Sequence, residues 1–256
     1  MKDLYKNKIV SVIIPVYNSG NYIAETIESV LNQTYKDIEI VIVDDCSKDN
    51  SREVIESYLK KNKNMVYHIQ EKNAGAAVAR NMALGLARGR YIAFLDSDDL
   101  WYPQKIEKQL DLMKEKNAAI CYTAIEMINE KGNLIKGKRN IKDRIDYKFL
   151  LKNTMIATST VIVDRKKIGN FQMPLIRSGQ DYATWLQLMR NGINAYGINK
   201  VFVKYRVGSN SLSSKKYKSI IQVWNIQIKY ERINPILATF NTIYFILNAF
   251  KKYFIR

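Results

Sequence analysis

Ile9–Asn18, IVSVIIPVYN, and Ile38–Asp49, IEIVIVDDCSKD, share one construction: a short, β-branched apolar run that stops abruptly in polar residues. Runs of this length, apolar at consecutive rather than alternate positions, belong to strands buried on both faces. Ile9–Ile14 predicts one such strand, bounded by Pro15, and Ile38–Val43 predicts a second. Between them Ile23, Ile27, Val30 and Leu31 recur at helical spacing. Parallel strands cannot be joined by a tight turn and need a crossover of this kind, so the segment reads as a βαβ unit.

The same alternation continues outward. Val54, Ile55, Tyr58 and Leu59 mark a second helix, Met65–Ile69 a third strand, and Ala79, Met82, Ala83 and Leu86 a third helix. Tyr91–Leu95 predicts a fourth strand, and Pro103 suits the first turn of a helix whose apolar face is Ile106, Leu110 and Met113. The expected fold class is α/β, a mostly parallel sheet with helices on both faces. Beyond residue 125 the pattern loosens. Ala118–Met127, Ser159–Val163 and Ala195–Arg206 read as strands, Lys131-Gly132-Asn133 as a turn, Lys136–Lys148 as a basic, mobile connector and Gln180–Arg190 as a helix. The expected organisation is one domain over residues 1–213 and a basic, amphipathic helical tail over 214–256.

A chain of 256 residues, 47% hydrophobic and 25% charged, can bury a core without covalent staples. Cys46 and Cys121 are far apart and lack metal-type spacing, so they read as reduced thiols in a reducing compartment. Met1–Lys8 is polar and runs into a strand, which predicts no signal peptide. The net charge of +17 is uneven: from Lys200 to Arg256 eleven Lys/Arg face one acid, Glu231. Such a field favours a polyanionic partner, whether nucleic acid, anionic lipid or a phosphorylated substrate, and charge alone does not choose.

In open α/β sheets ligands bind at the carboxyl ends of the strands. Four consecutive strand ends here carry polar clusters: Pro15-Val16-Tyr17-Asn18; Asp44-Asp45-Cys46-Ser47-Lys48-Asp49; Lys72-Asn73-Ala74-Gly75, leading to Ala79-Arg80-Asn81; and Asp96-Ser97-Asp98-Asp99. The last supplies hard oxygen ligands of the kind Mg²⁺ or Mn²⁺ prefers. A helix cap near Pro103 accounts for one of these aspartates, not for three.

These motifs, in this order, resemble the successive signatures of family 2 glycosyltransferases with the GT-A fold, over about residues 8–213. The resemblance implies an inverting, non-processive transfer of one sugar from a nucleotide-diphosphate sugar, a UDP-sugar, in bacterial surface-polysaccharide synthesis. It places Pro15, Tyr17 and Asp45 at the nucleobase, Asp96 at the ribose, Asp98 on the divalent ion, and Ser97, Gly75 and Arg80 in the donor site. It makes Asp181, in Gly179-Gln180-Asp181, the catalytic base; Gln180 departs from the acidic neighbour usual there. Tyr205-Arg206 with Ser211 and Ser213 resembles a loop that closes over the diphosphate, with Arg206 as its phosphate ligand. Gly208 stands where many relatives carry histidine. The Gln-x-x-Arg-Trp signature of processive synthases is absent, which favours single-sugar addition.

Lys215–Arg232 reads as an amphipathic helix with Ile220, Ile221, Trp224 and Ile228 on its apolar face, and Ile233–Phe250 is uncharged. At 1.5 Å per residue the latter reaches roughly 27 Å, but Pro235 and three asparagines argue against a span. An interfacial helix suits a polyprenyl-diphosphate-linked glycan acceptor on the inner face of the plasma membrane; a helix folded back on the domain or buried in a dimer seam is the open alternative. Two other readings are a nucleic-acid-binding protein, which lacks a base-reading motif and whose acidic strand ends would repel phosphate, and a sugar nucleotidyltransferase. Nucleic acid is therefore not an expected partner. A dinucleotide-binding dehydrogenase is disfavoured because no Gly-x-Gly-x-x-Gly follows the first strand.

Overall fold

The apolar runs become strands whose successive side chains pass to opposite faces, which is why they are apolar throughout. Val12 and Ile14 enter one core with Ile23, Ile27, Ile55 and Ile106, whereas Ile13 enters the other with Val41, Val43, Phe94 and Trp185. A computed structural model of the chain describes residues 5–208 and 216–254. Its first half runs β1 (Lys6–Val16), α1 (Ile23–Leu31), β2 (Ile38–Asp44), α2 (Ser51–Leu59), β3 (Met65–Ile69), α3 (Ala76–Leu86), β4 (Gly89–Phe94). β1 pairs in parallel with both β2 and β4, and β2 with β3. The chain thus moves outward from β1 to β3 and then returns to its other side, which opens a switch-point crevice beside the end of β1.

Pro15 does not end the first strand. It sits inside β1 opposite Val43, just past the last pair with β4, Ile13↔Phe94, so its missing N–H interrupts no ladder bond. Pro103 likewise lies before its helix, whose cap is Gln104, and Leu100–Trp101 forms a short strand that the sequence reading missed.

The second half runs β5 (Leu100–Trp101), α4 (Lys105–Glu115), β6 (Ile120–Ile128), β7 (Leu134–Arg139), β8 (Arg144–Ile145), α5 (Tyr147–Leu150), β9 (Ile162–Asp164), α6 (Arg165–Ile168), α7 (Gln180–Met189), β10 (Ala195–Arg206). The path across the ten-stranded sheet is β3-β2-β1-β4-β9-β6-β10-β5, with β7 on β6 and β8 on β10. β9 is antiparallel to both neighbours, and β6 and β10 are parallel. The sheet is mixed, mostly parallel. Residues 136–148 are not a loose connector, because they supply β7, β8 and the start of α5. Thr158–Thr160 is a 3₁₀ turn ahead of β9 rather than strand.

The expected boundary at residues 213/214 lies outside the described residues. On its C-terminal side stand α8 (Lys216–Lys229) and α9 (Pro235–Phe254). Val223 and Ile226 of α8 enter the same core as Trp185, and Gln227 Nε2 donates to Leu151 O at 2.9 Å. The face the sequence suggested is not the buried one: Ile221 is exposed and Trp224 only partly covered. Glu231, just after α8, is buried and receives Arg190 (2.9 Å) and the Tyr147 hydroxyl (2.8 Å). Among the described residues no helix is long and apolar enough to cross a membrane.

Candidate active site

The loops after β1 and β2 hold one another. Asn18, in the left-handed region at φ 50°, donates its N–H to Ser47 Oγ (2.9 Å), and its Oδ1 accepts from Lys48 N (2.8 Å). Pro15 and Tyr17 sit at this edge, Tyr17 with a 49% exposed ring. The two neighbouring aspartates divide the work. Asp44 closes its own turn, accepting from Ser47 N and the Tyr67 hydroxyl. Asp45 is buried and reaches across to the next loop, where Oδ1 accepts from Gln70 Nε2 (2.6 Å) and Ala74 N (2.7 Å) and Oδ2 from Gly75 N (2.8 Å). Oδ2 keeps room for one further donor. Gly75 is the cap of α3 at φ 93°, a conformation that would strain any other residue.

The four residues after β4 do three different things. Asp99 is fully buried: Oδ1 accepts from Arg206 N (2.8 Å) and Oδ2 from Ser159 Oγ (2.5 Å), so it anchors β10 and the 3₁₀ turn. Ser97 shares a hydrogen bond with Ser19 (2.6 Å), and Thr26 of α1 donates to the carbonyls of Ser97 and Asp99. Asp96 and Asp98 are only partly buried, and Asp96 pairs with the Arg80 guanidinium. Burial first, then the charge of Asp96, pushes the Asp98 carboxyl up to about 6. Burial and both neighbours also hold Asp99 well above the usual carboxylate range. Acids crowded in this way are short of positive charge.

Those two carboxylates fit a divalent ion. Among the described residues no group of three His, Cys, Asp or Glu side chains is assembled to hold a metal. Mg²⁺ and Mn²⁺ sites commonly use one or two carboxylates and complete their shell from substrate phosphates and water. Asp96 and Asp98 would hold the ion; Asp99 is committed elsewhere.

Asp181 lies in the first turn of α7, and the cap of that helix is Gly179 at φ 74°. Its Oδ2 accepts from Thr158 Oγ1 (3.2 Å). The next residue, Ser159, accepts from Asp96 N (3.1 Å) while donating to Asp99. One 3₁₀ turn therefore touches both the acidic motif and Asp181. Buried Arg80 makes a second bridge. Its Nη2 binds Asp96, and its Nη1 donates to Gln180 Oε1 (2.9 Å) in the amide orientation that also lets Gln180 donate to Ile176 O. Tyr205 completes the ring: burial, with the charges of Asp99, Asp96, Asp98 and Asp181, holds its hydroxyl protonated far above the ordinary phenol value. The sequence reading does not single out Thr158 or Ser159, and it names Tyr205 only as the neighbour of Arg206. The polar triple Thr158-Ser159-Thr160 before an apolar run was the available signal.

Arg206, expected at the diphosphate, ends β10 beside the acidic motif. Its guanidinium is buried, donating to Asp98 O (2.8 Å), Glu130 O (2.9 Å) and Glu25 Oε2 (2.9 Å) and stacked on Tyr22. In this arrangement it ties the acidic motif to α1 and the β6–β7 turn. Ser211 and Ser213 lie outside the described residues.

The strand order, the crevice beside β1 and the acidic motif at the end of β4 define a class: glycosyltransferases of the GT-A fold. Residues 11–173 match the model of glycosyl transferase family 2, and the chain belongs to that family. It is 42% identical over 244 residues to the putative teichuronic acid biosynthesis glycosyltransferase TuaG of Bacillus subtilis, covering 95% of this chain and 97% of that protein. It is 36% identical over 246 residues to the Escherichia coli UDP-Glc:α-D-GlcNAc-diphosphoundecaprenol β-1,3-glucosyltransferase WfgD, covering 96% and 95%. Staphylococcus aureus TarS 1–349 in complex with UDP-GlcNAc superposes with a TM-score of 0.71 at 20% identity, covering 95% of this chain and 73% of that 1–349 chain. The Pyrobaculum calidifontis mannosyltransferase PcManGT in complex with GDP-Man and Mn²⁺ gives 0.68 at 17%, covering 94% and 72%. At such identities the two structures speak for the fold.

Proposed function

We propose that the chain transfers one hexose from a UDP-sugar to a hydroxyl of a polyprenyl-diphosphate-linked glycan, with inversion, during assembly of a bacterial surface polysaccharide at the cytoplasmic face of the plasma membrane. The observation that carries this is the pair of bridges, Thr158-Ser159 to Asp181 and Arg80 to its neighbour Gln180, that fasten the start of α7 to the acidic motif. Pro15, Tyr17 and the open acceptor position on Asp45 Oδ2 receive the base; Gly75, Asp96, Ser97 and Arg80 line the rest of the donor. Asp181 takes the proton of the acceptor hydroxyl, whose oxygen bonds to the anomeric carbon as the bond to the diphosphate breaks and nucleoside diphosphate leaves. One base and one displacement invert the centre. Asp98, with Asp96, would hold Mg²⁺ or Mn²⁺, which would supply charge neutralisation for the leaving diphosphate. The lipid-linked acceptor is supported by the name of the 36%-identical relative, and the surface-polysaccharide role by that of the 42%-identical one.

The test is calorimetric titration of nucleotide sugars with Mn²⁺ and with chelator, followed by turnover of Asp181→Asn. The expected result is metal-dependent UDP-sugar binding unchanged within about threefold, with kcat down by roughly 10²–10⁴, the range of a lost general base. Undiminished turnover would remove Asp181 from the reaction, and no nucleotide binding by the folded protein would overturn the whole assignment.

A further inference from the structure

α9 turns a mixed side inward, where Phe245 packs on the core beside polar residues. Ala238, Asn241 and Thr242 are buried against the protein. Asn241 Nδ2 donates to Gln227 Oε1 (2.9 Å), Trp224 Nε1 to Thr239 Oγ1 (3.2 Å), and Asn248 Nδ2 to Lys152 O (3.2 Å). The outward side carries Ile236, Leu237, Phe240, Ile243, Tyr244 and Leu247, each between 48% and 70% exposed. Steps of three and four place them in one stripe along the helix. A helix that merely capped the core would be turned the other way. An exposed apolar run of this extent marks a contact surface.

We infer that this stripe is a membrane-docking surface: α9 lies in the plane of an anionic phospholipid bilayer with these six side chains below the headgroups. Two observations select lipid over other occupants. No described helix can cross a membrane, so α9 lies on the bilayer rather than through it. The charge around it is complementary to anionic headgroups: from residue 214 to the end there are eight Lys/Arg and one acid, and that acid, Glu231, is buried against Arg190. Lys229 and Arg232 are exposed just before α9, Lys152 lies 5.0 Å from the Tyr244 ring, and Lys251-Lys252 stand near the far end of the helix.

The docking surface is joined to the site. α8, which carries α9, braces the loop before Asp181: Ser178 Oγ donates to Gln222 Oε1 (2.6 Å), and Gly179 packs on Ile226 and Gln222. Seating α9 on a membrane therefore holds the acceptor side of the crevice near the headgroups. That consequence rests on the proposed function; the docking itself does not.

The experiment is co-sedimentation of the full chain with vesicles of phosphatidylglycerol and phosphatidylcholine, and with phosphatidylcholine alone, for the wild type and for Phe240→Asp/Ile243→Asp. UDP binding is measured on the same samples to show that each is folded. The expected result is binding to the anionic vesicles, weaker on neutral ones, with a loss of at least about tenfold in the double variant and unchanged UDP affinity. A wild type that stays off anionic vesicles overturns the inference, as does a variant that binds them equally well. So does a wild-type dimer that the double substitution splits, with no vesicle binding, since the occupant is then a second copy. Stripe-dependent vesicle binding by a chain that melts cooperatively but binds no UDP upholds the docking surface and overturns the UDP-sugar reading instead.

Discussion

Asp98 and Asp99 are adjacent, chemically identical and assigned to opposite tasks. Asp99 is satisfied by Ser159 and Arg206 and holds loops together; Asp98 is held short of positive charge in the crevice. Because the fold raises Asp98 to about 6, the native state binds its proton more tightly than the unfolded chain does. Its contribution to stability is present at pH 4 and is lost as pH rises toward 6. Asp98→Asn is therefore expected to stabilise the metal-free protein at pH 7.5, by roughly 2 kcal/mol, and to abolish metal-dependent UDP-sugar binding. Thermal melts at pH 5 and 7.5 in chelator, beside the titration with Mn²⁺, check both halves; a variant destabilised at pH 7.5 would place a structural partner on Asp98. Lys105 shows the reverse sign. It is fully buried, its Nζ finds no hydrogen-bond acceptor, and burial lowers it to about 7 while the Trp101 face, 3.8 Å away, favours the charged form. The unfolded chain keeps the proton between pH 7 and 10, so stability at this residue rises over that range. Lys105→Met should stabilise the protein at pH 7 and lose on the order of 2 kcal/mol of that advantage by pH 9; an advantage constant with pH would mean that Lys105 stays charged throughout.

At the scale of elements, the position of Asp181 depends on α8. Gly179 turns the chain into α7 with a left-handed φ, and a Cβ there would stand 2.9 Å from Ile226 Cδ1. Gly179→Ala is expected to cost about 1–3 kcal/mol and to lower kcat with little change in donor KM, because the donor side is built on β1, β2 and β4. Equal losses in kcat and donor affinity would show that the two halves are not separable. The same dependence alters what removal of the C-terminal helices tests: without α8 the Trp185 core is uncovered and Arg190 loses its buried Glu231. The βαβ half of the fold was legible in the sequence because buried parallel strands are continuous apolar runs and their helices keep a regular period. β7 was not, since every residue from Leu134 to Lys138 is exposed and an edge strand of that kind leaves no period to read. The 3₁₀ turn was hidden by its β-branched threonines, which mimic a strand. In α8 two apolar stripes compete, Ile220-Ile221-Trp224-Ile228 and Val223-Ile226, and only packing against α7 decides between them. The polar strand-end motifs were legible because they stand in one short stretch each; the contributions of Thr158, Ser159 and Tyr205 come from residues brought together only by the sheet.

For the whole molecule, the donor is a soluble anion and the proposed acceptor is held in a bilayer, so two surfaces must work at once. The crevice at the end of β1 is the proposed donor site, and α9 offers an apolar stripe set among basic residues, with α8 linking the two. If the stripe acts by concentrating the enzyme where its acceptor is, its loss changes encounter and not chemistry. With an undecaprenyl-diphosphate-linked acceptor embedded in anionic vesicles, Phe240→Asp should raise the apparent acceptor KM by about tenfold and leave kcat alone. With the same acceptor dispersed in neutral detergent micelles, the variant and the wild type should match, because no anionic surface is present to be concentrated on. Raising the salt should also shrink the vesicle advantage of the wild type, since headgroup attraction acts over a Debye length of about 8–10 Å near physiological ionic strength and about 3 Å in molar salt. An equal loss for Phe240→Asp in vesicles and micelles would instead mean that α9 shapes the acceptor site itself, through Gln222 and the loop before Asp181.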